Sequence, residues 1–514
     1  MSNSKKIIKS TALIVILTLA SKILGFLRET LIAYKFGSGM KTDTFFVALT
    51  ATALITSLIS SAISTTFIPV LSQIEAIEGR EEKINHTNNM INIISVISIF
   101  LLIIAMIFVK LTAGGFSGDQ FTLAVKLTRL GLPMILFSGV IGTLTAFLHS
   151  EQRYLSSAAI GFPFNMVYIV FLIFFASTFG ITGLMVAAVL AVVSQFLIQV
   201  PEARRAGFKY KFVFDIRDKY IKKVLYLSLP VLIGVAINDI NAIIDRNLAS
   251  SLVEGSISAL NYANKLQGLV YGVFVSAITT VIFPLLSKES NSSNIKGMKK
   301  IMGEGINLIL LITIPATVGL IILAKPIVEV AFQRGAFTAN DTIMTSQALV
   351  FYSLGLVGSS LRLLTTRVYY SLQDTKSPML NGGIAVVLNL ILNLILIRFL
   401  AHGGLALATS ISTTIATLVL LYGLKKKIGS LGTVEWIKCG LKSVLASIVM
   451  GIVAYFIYHG LYGILGVSKL NNLIALAIAA GIGALIYGVL CYMLGIKEIK
   501  DLVGKGIDRF KKRK

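Results

Sequence analysis

Apolar runs of about 18 to 25 residues, long enough to cross the hydrocarbon core of a bilayer as a helix, recur along almost the whole chain. They lie near residues 11–36, 44–71, 90–111, 127–148, 157–179 and 183–200, then 224–248, 257–286, 306–330, 342–372, 379–400 and 404–424, and finally 439–461 and 473–494. About fourteen spans result, two blocks of six followed by two more, which predicts an all-α polytopic membrane protein. Composition agrees, because 55% of the 514 residues are hydrophobic and only 14% are charged. The mean hydropathy is +0.85, whereas soluble domains carry about a quarter charged residues. Cys439 and Cys491 have neither disulfide-framework nor zinc-type spacing.

The net charge of +24 would suggest nucleic acid in a soluble domain; here it reads as topology. Lys5, Lys6 and Lys9, the stretch from Arg204 to Lys223, Lys296, Lys299 and Lys300, Lys425 to Lys427 and the tail from Lys497 all fall on one side if every span crosses. The positive-inside bias makes that side, and both termini, cytoplasmic. The exception is the 73–89 loop, where Glu75, Glu78, Glu81 and Glu82 outnumber Arg80 and Lys83. The first twenty residues imitate a signal peptide, but the apolar run continues past Ser21 without a convincing cleavage site, so a retained first helix is expected. The expected domains are an N-lobe over 1–205, a basic linker over 206–223, a C-lobe over 224–424, the last two spans over 425–496 and a basic tail over 497–514.

The two blocks of six look like repeats. Phe67-Ile68-Pro69-Val70-Leu71-Ser72 closes the second span of one block and Ile282-Phe283-Pro284-Leu285-Leu286-Ser287 the second span of the other. Gly183-Leu184 and Gly404-Leu405 open the two sixth spans. Repeats of even span number share an orientation, as in parallel-repeat transporters, whose substrate site lies between the halves.

No phosphate-binding loop and no hydrolase constellation is present. The chemistry lies in polar residues within the spans, where a charge costs several kcal/mol and faces a partner or a water-filled cavity. Ser21, Gly25 and Arg28 share one stripe of the first span, with Lys22, Phe26 and Glu29 on the next. The seventh span carries Asn238, Asn241 and Asp245 on one stripe, flanked by Asp239 and Arg246. The eighth has Asn261 and Lys265, the tenth Arg362 and Arg367, and the eleventh Asn389 and Asn393. Lys22, Arg28, Lys265, Arg362 and Arg367 exceed Glu29, Asp239 and Asp245, and buried cations in excess call for an anionic ligand, to which the planar fork of Arg is suited when it is a phosphate. A pyrophosphate-bearing amphiphile meets that demand.

At these residues the chain resembles the MurJ (MviN) lipid II flippases of the multidrug/oligosaccharidyl-lipid/polysaccharide exporter superfamily. The matching stretches run from Ser21 to Glu29, Gly37 to Ala48, Phe67 to Leu71, Gly255 to Leu266, Arg334 to Asp341 and Tyr369 to Pro378. The resemblance implies a transporter, not an enzyme, in the bacterial inner membrane, with two six-helix lobes around a central cavity plus two C-terminal helices. Its substrate would be the undecaprenyl-pyrophosphate-linked peptidoglycan precursor, carried from the inner to the outer leaflet, with cell-wall synthesis proteins as partners and a lipid-tail groove on the last two helices. Carried over by position, Ser21, Lys22, Arg28, Glu29, Asp43 and Lys265 take substrate-binding places, joined by Arg362 and Arg367 from the charge argument. Lys22 and Lys265 stand where relatives usually carry Arg, Glu29 where they carry Asp, and Asn264 replaces an acidic residue. Arginines common in the second helix of relatives are missing from residues 54–57. Sodium-binding relatives build a cation site whose places correspond here to Asp245, Asn389, Asn393, the Leu405 carbonyl and the Thr409 hydroxyl. Asn393 replaces an Asp there, so a sodium ion would be held more weakly. The alternatives on the same fold are a flippase for another polysaccharide-lipid and a multidrug cation antiporter, and the latter would favour carboxylates in its cavity. A membrane glycosyltransferase using Asp43 or Glu29 as base would need a soluble catalytic domain of a size this chain lacks.

Overall fold

A computed structural model of the chain describes residues 3–466, 468–501 and 504, apart from the side chains of 3–15, 112, 230, 233, 234 and 237–240. Lys5, Lys6, Lys9, Asn238, Asp239 and the tail beyond 504 therefore lie outside the described residues and side chains. Among the described residues every regular element is helical. In chain order these are α1 (Asn3–Phe36), α2 (Met40–Glu78), α3 (Arg80–Phe108), α4 (Gly118–Gly131), α5 (Met134–Ser150), α6 (Leu155–Ala159), α7 (Gly161–Phe174), α8 (Ala176–Arg205), α9 (Lys219–Ser250), α10 (Ser256–Val270), α11 (Ser276–Asn291), α12 (Ile295–Ile322), α13 (Ala324–Phe332), α14 (Ala339–Leu354), α15 (Leu356–Ser371), α16 (Lys376–Ile428), α17 (Thr433–Leu465) and α18 (Lys469–Met493). Among the described residues ten helical stretches are long and apolar enough to cross a membrane, or eleven with α14 and α15 taken as one span bent by 45°. The all-α membrane architecture expected from the sequence is thus present. At 53 residues, α16 would be about 80 Å long if straight, far more than one crossing needs, and it breaks at Ala401 into two rods.

That break has a twin. The backbone of α8 reverses at Gly180 (φ 57, ψ −154) and that of α16 at Ala401 (φ 48, ψ −128), each three residues before the Gly-Leu pair that opens a sixth span. The glycines of both pairs sit where a side chain would not fit. A Cβ on Gly183 would come within 2.4 Å of the Phe179 Cβ, and one on Gly404 within 2.4 Å of the Leu396 carbonyl. The same tight corner at the same place in each block is what an internal repeat requires. Pro69 and Pro284 also match, both lying inside helices that run on to Glu78 and Asn291.

The chain divides into two compact units, Met1–Ser258 with Arg334–Thr338, and Ala259–Gln333 with Ala339–Lys514. In the first, α2 is the central rod: Phe67, Leu71 and Ile74 pack against Met90 and Ile94 of α3, Ile135 and Phe147 of α5, and Ile221 and Val224 of α9. A hydroxyl pair, Thr66 and Ser228 at 3.0 Å, joins α2 to α9. The first unit runs on to residue 258 because α9 packs apolar residues such as Ile221 and Val224 on α2. Residues Arg334–Thr338 belong here too, with Ala336 N donating to Tyr34 O at 2.8 Å. Gly37 (φ 67) has to be glycine, since a Cβ would lie 2.4 Å from the Ala336 carbonyl.

The basic linker is laid on α3 as an ordered strap. Asn88, Asn89 and Asn92 donate to the carbonyls of Lys209, Asp215 and Val213 at 3.0, 2.9 and 2.9 Å. The acidic 73–89 region supplies its counter-charges: Glu78 accepts from Lys219 Nζ and Tyr220 OH. The fully buried Lys83 ammonium bridges Glu75 and Glu151 at 2.7 and 2.6 Å. In the second unit, Leu286, Met302, Ile309, Leu364, Val368 and Leu424 form the core. The hairpin of α17 and α18 docks on α12 through Leu311, Met450, Tyr487 and the buried thiols Cys439 and Cys491.

Candidate functional site

In the first unit the polar stripe of α1 faces α7. A Cβ on Gly161 would fall 1.9 Å from Ser21 Oγ, and one on Gly25 would be 3.8 Å from the Asn165 amide, so a glycine on each helix brings the two backbones close. Asn165 Nδ2 donates to Ser21 O at 3.2 Å and to Gly161 O at 2.7 Å. Two turns on, the Arg28 guanidinium lies 5.0 Å from the Tyr168 ring centroid and 5.5 Å from that of Phe164. Its Nη2 donates to Glu29 Oε1 at 2.7 Å. The Arg28 side chain is 15% exposed and Glu29 is buried. Ring faces attract a cation, so this arginine is held by π-faces and one carboxylate, with Nε buried and lacking a hydrogen-bond partner. Lys22 is half-buried on the same helix.

Asp43 has a different occupation. Its Oδ2 accepts from Gly255 N at 2.7 Å, and its Oδ1 from Ser258 N at 2.8 Å and Ser258 Oγ at 2.5 Å. That is the geometry of a carboxylate capping a helix N-terminus, favoured by the orphan N–H groups there and by the helix dipole. Binding a substrate through Asp43 would mean giving up those three donors.

In the second unit the cations are arranged otherwise. Arg362 and Arg367 are half-buried on α15. Tyr271, in the π-helical turn Tyr271–Val275 between α10 and α11, is within electrostatic range of both. Arg367 lies 5.4 Å over the Phe283 ring. Among the described residues neither arginine forms an ion pair or a hydrogen bond. Lys265 is exposed on α10, one turn from the buried Asn261.

Four of the expected cation ligands come together on α16. Asn393 Nδ2 donates to Asn389 Oδ1 at 2.9 Å, Asn389 Nδ2 to Thr409 Oγ1 at 3.3 Å, and Thr409 Oγ1 to Leu405 O at 3.0 Å. Both asparagines are buried. Asp245, the only formal charge of the set, lies in the first unit, within 3.4 Å of Asn241 Nδ2. The amide, hydroxyl and carbonyl oxygens fit a hard monovalent cation in kind.

The family model for lipid II flippase MurJ matches residues 32–474. The chain belongs to the MurJ family. A probable lipid II flippase MurJ of Vibrio cholerae is 31% identical over 437 residues, 82% of this chain and 83% of that protein. Its counterpart in Rickettsia prowazekii is 28% identical, covering 92% and 96%. A solved lipid II flippase MurJ in an inward closed conformation superposes with a TM-score of 0.78 at 27% identity, over 96% of this chain and all of that one. An inward-facing multidrug transporter of the MATE family superposes with a TM-score of 0.69 at 14% identity, which shows the shared fold alone.

For a MurJ-family chain, sequence reasoning found the cations but missed what surrounds them. Phe164 and Tyr168 carry no charge and disappear into an apolar span. Asn165, a lone amide between them, was the available signal. Tyr271 and Phe283 likewise read as ordinary span residues, because a π-turn leaves no hydropathy signature.

Proposed function

We propose that this chain flips an undecaprenyl-pyrophosphate-linked peptidoglycan precursor, lipid II, from the inner to the outer leaflet of the bacterial inner membrane by alternating access. The observation that carries the reading is the pair Arg362 and Arg367: two guanidinium groups inside a membrane span with aromatic neighbours and, among the described residues, no carboxylate partner. A charged group in hydrocarbon is penalised by several kcal/mol, so two unpaired arginines are retained where an anion arrives to pair with them. Guanidinium suits phosphate oxygens through parallel N–H donors. Arg28 is the complementary case, since Glu29 occupies it and a pyrophosphate would compete for the same donors. The work is transport, with no covalent step.

Energy for net outward movement can come from the membrane potential. Carrying about two negative charges out of a cell with a negative interior is favoured by roughly 4–5 kcal/mol per 100 mV. A sodium ion at Asn389, Asn393, the Leu405 carbonyl and Thr409 is a second source. The test is depletion of the protein in its native cell, complemented with wild type or with Arg362→Gln/Arg367→Gln. Lipid-linked precursor should accumulate on the inner leaflet on depletion, and the double variant, present at normal amount, should fail to clear it. Normal clearance by that variant would remove the two arginines from the mechanism.

A further inference from the structure

The second unit carries a cleft of about 930 Å³ between the first turns of α12, the start of α17 and the turn that follows α18. Its wall includes Lys299, Lys300, Lys438, Lys442 and Lys497, and among the described residues none of the five forms an ion pair. At its back stands Trp436, the only tryptophan of the chain. It is 8% exposed, and its indole N–H has no acceptor among the described residues. Gly303 makes room for that edge, since a Cβ there would come within 3.2 Å of the indole nitrogen. The N–H edge keeps contact with the open cleft, and an indole donor without a protein acceptor beside five ammonium groups in no ion pair suits an anionic acceptor.

We propose that this cleft binds the phosphodiester headgroup of an anionic bilayer phospholipid. Four carboxylates, Glu304, Glu435, Glu498 and Asp501, share the wall, and Glu498 is tied by Asn307 Nδ2 at 2.6 Å. Five lysines against four carboxylates leave a small positive excess, which matches a singly charged phosphodiester better than a pyrophosphate. The depth is that of a headgroup. On the first turns of α17, Lys438 and Lys442 face the cleft while Val434, Ile437 and Leu441 are exposed on the outer side. Polar cleft and apolar outer face thus meet at one level, where acyl chains can lie along α17. Basic pockets between membrane helices hold lipid headgroups by this combination of charge and hydrocarbon.

The single tryptophan makes the proposal measurable. In full-length protein purified in a neutral detergent, a short-chain phosphatidylglycerol should change Trp436 emission saturably. Phosphatidylcholine of the same chain length should leave it unchanged. Lys438→Gln/Lys442→Gln should weaken the apparent affinity by about tenfold or more, as expected for loss of charge-assisted hydrogen bonds. Lys299→Gln/Lys300→Gln, on the opposite wall, provides the same reading if the first pair impairs folding. Trp436→Phe should reduce the thermal stabilisation given by the anionic lipid. An equal response to both lipids, or an unaltered response in both lysine variants, would overturn the proposal. Saturation by inorganic phosphate at the same concentration as the lipid would also overturn it, assigning the cleft to a soluble anion.

Discussion

Arg28 and Arg362 are the same residue type under opposite constraints, and their variants should separate the two. Arg28→Ala takes from the buried Glu29 the bond at 2.7 Å and leaves the space between Phe164 and Tyr168 unfilled. It should therefore lower thermal stability as well as transport. Removing one partner of a buried pair costs about 3 kcal/mol. Arg28→Ala/Glu29→Ala should recover most of the melting temperature but not transport, and recovery of both would show that the pair only holds the fold. Arg28→Lys keeps the charge but loses the fork, so partial transport is expected. A second residue-scale prediction concerns Asp374, in the turn between α15 and α16. Its Oδ2 accepts from Lys427 Nζ at 2.7 Å, and that ammonium holds the carboxyl down to about 2. Because the folded value is depressed, the stabilisation is complete above the unfolded value of about 4 and is lost as pH falls toward 2. The melting-temperature difference between wild type and Asp374→Asn should be constant above pH 5 and shrink below pH 4. A difference undiminished at pH 2.5 would assign it to the turn's shape instead of its charge.

At the scale of elements, most of what the sequence made legible came from hydrophobicity, and most of what it hid came from backbone geometry. The apolar runs located nearly every rod, and the Gly183-Leu184 and Gly404-Leu405 echo pointed to both corners. The reversals themselves, at Gly180 and Ala401, lie three residues earlier, where nothing in composition marks them. Ala401 is the anomaly: its φ of 48 is one that a Cβ makes costly, by about 1–3 kcal/mol. Ala401→Gly should raise the melting temperature, by the equivalent of about 1 kcal/mol once glycine's extra chain entropy is subtracted. Gly180→Ala should lower it. Opposite signs at the two corners would support the repeat in energetic terms, and equal signs would remove strain from the account. The same long element holds the amide cluster. If it takes sodium, that ion should raise the melting temperature more than potassium at equal ionic strength, and Asn393→Asp should enlarge the difference. Identical melting in the two salts, up to high millimolar concentration, would leave the potential or protons as the driver.

For the whole molecule, charge placement is what orients the chain, and the strap shows why one loop departs from the rule. Glu75 and Glu78 pair with Lys83 and Lys219, so two of the four acidic residues of the 73–89 region are counter-ions for basic groups. The sequence showed their excess but could not show their partners, which lie up to 141 residues away. With that loop accounted for, the remaining charges predict that residues 118 and 469 face outward and that 217 and 427 face the cytoplasm. Cys439 and Cys491 are buried, but their removal gives a clean background for single cysteines at those four positions. An impermeant thiol reagent applied to intact cells should label the first two and reach the others only after the membrane is opened. Labelling of position 217 from outside would invert the chain. The potential would then oppose outward movement of an anionic headgroup, and the proposed direction of transport would lose its energy source along with its topology.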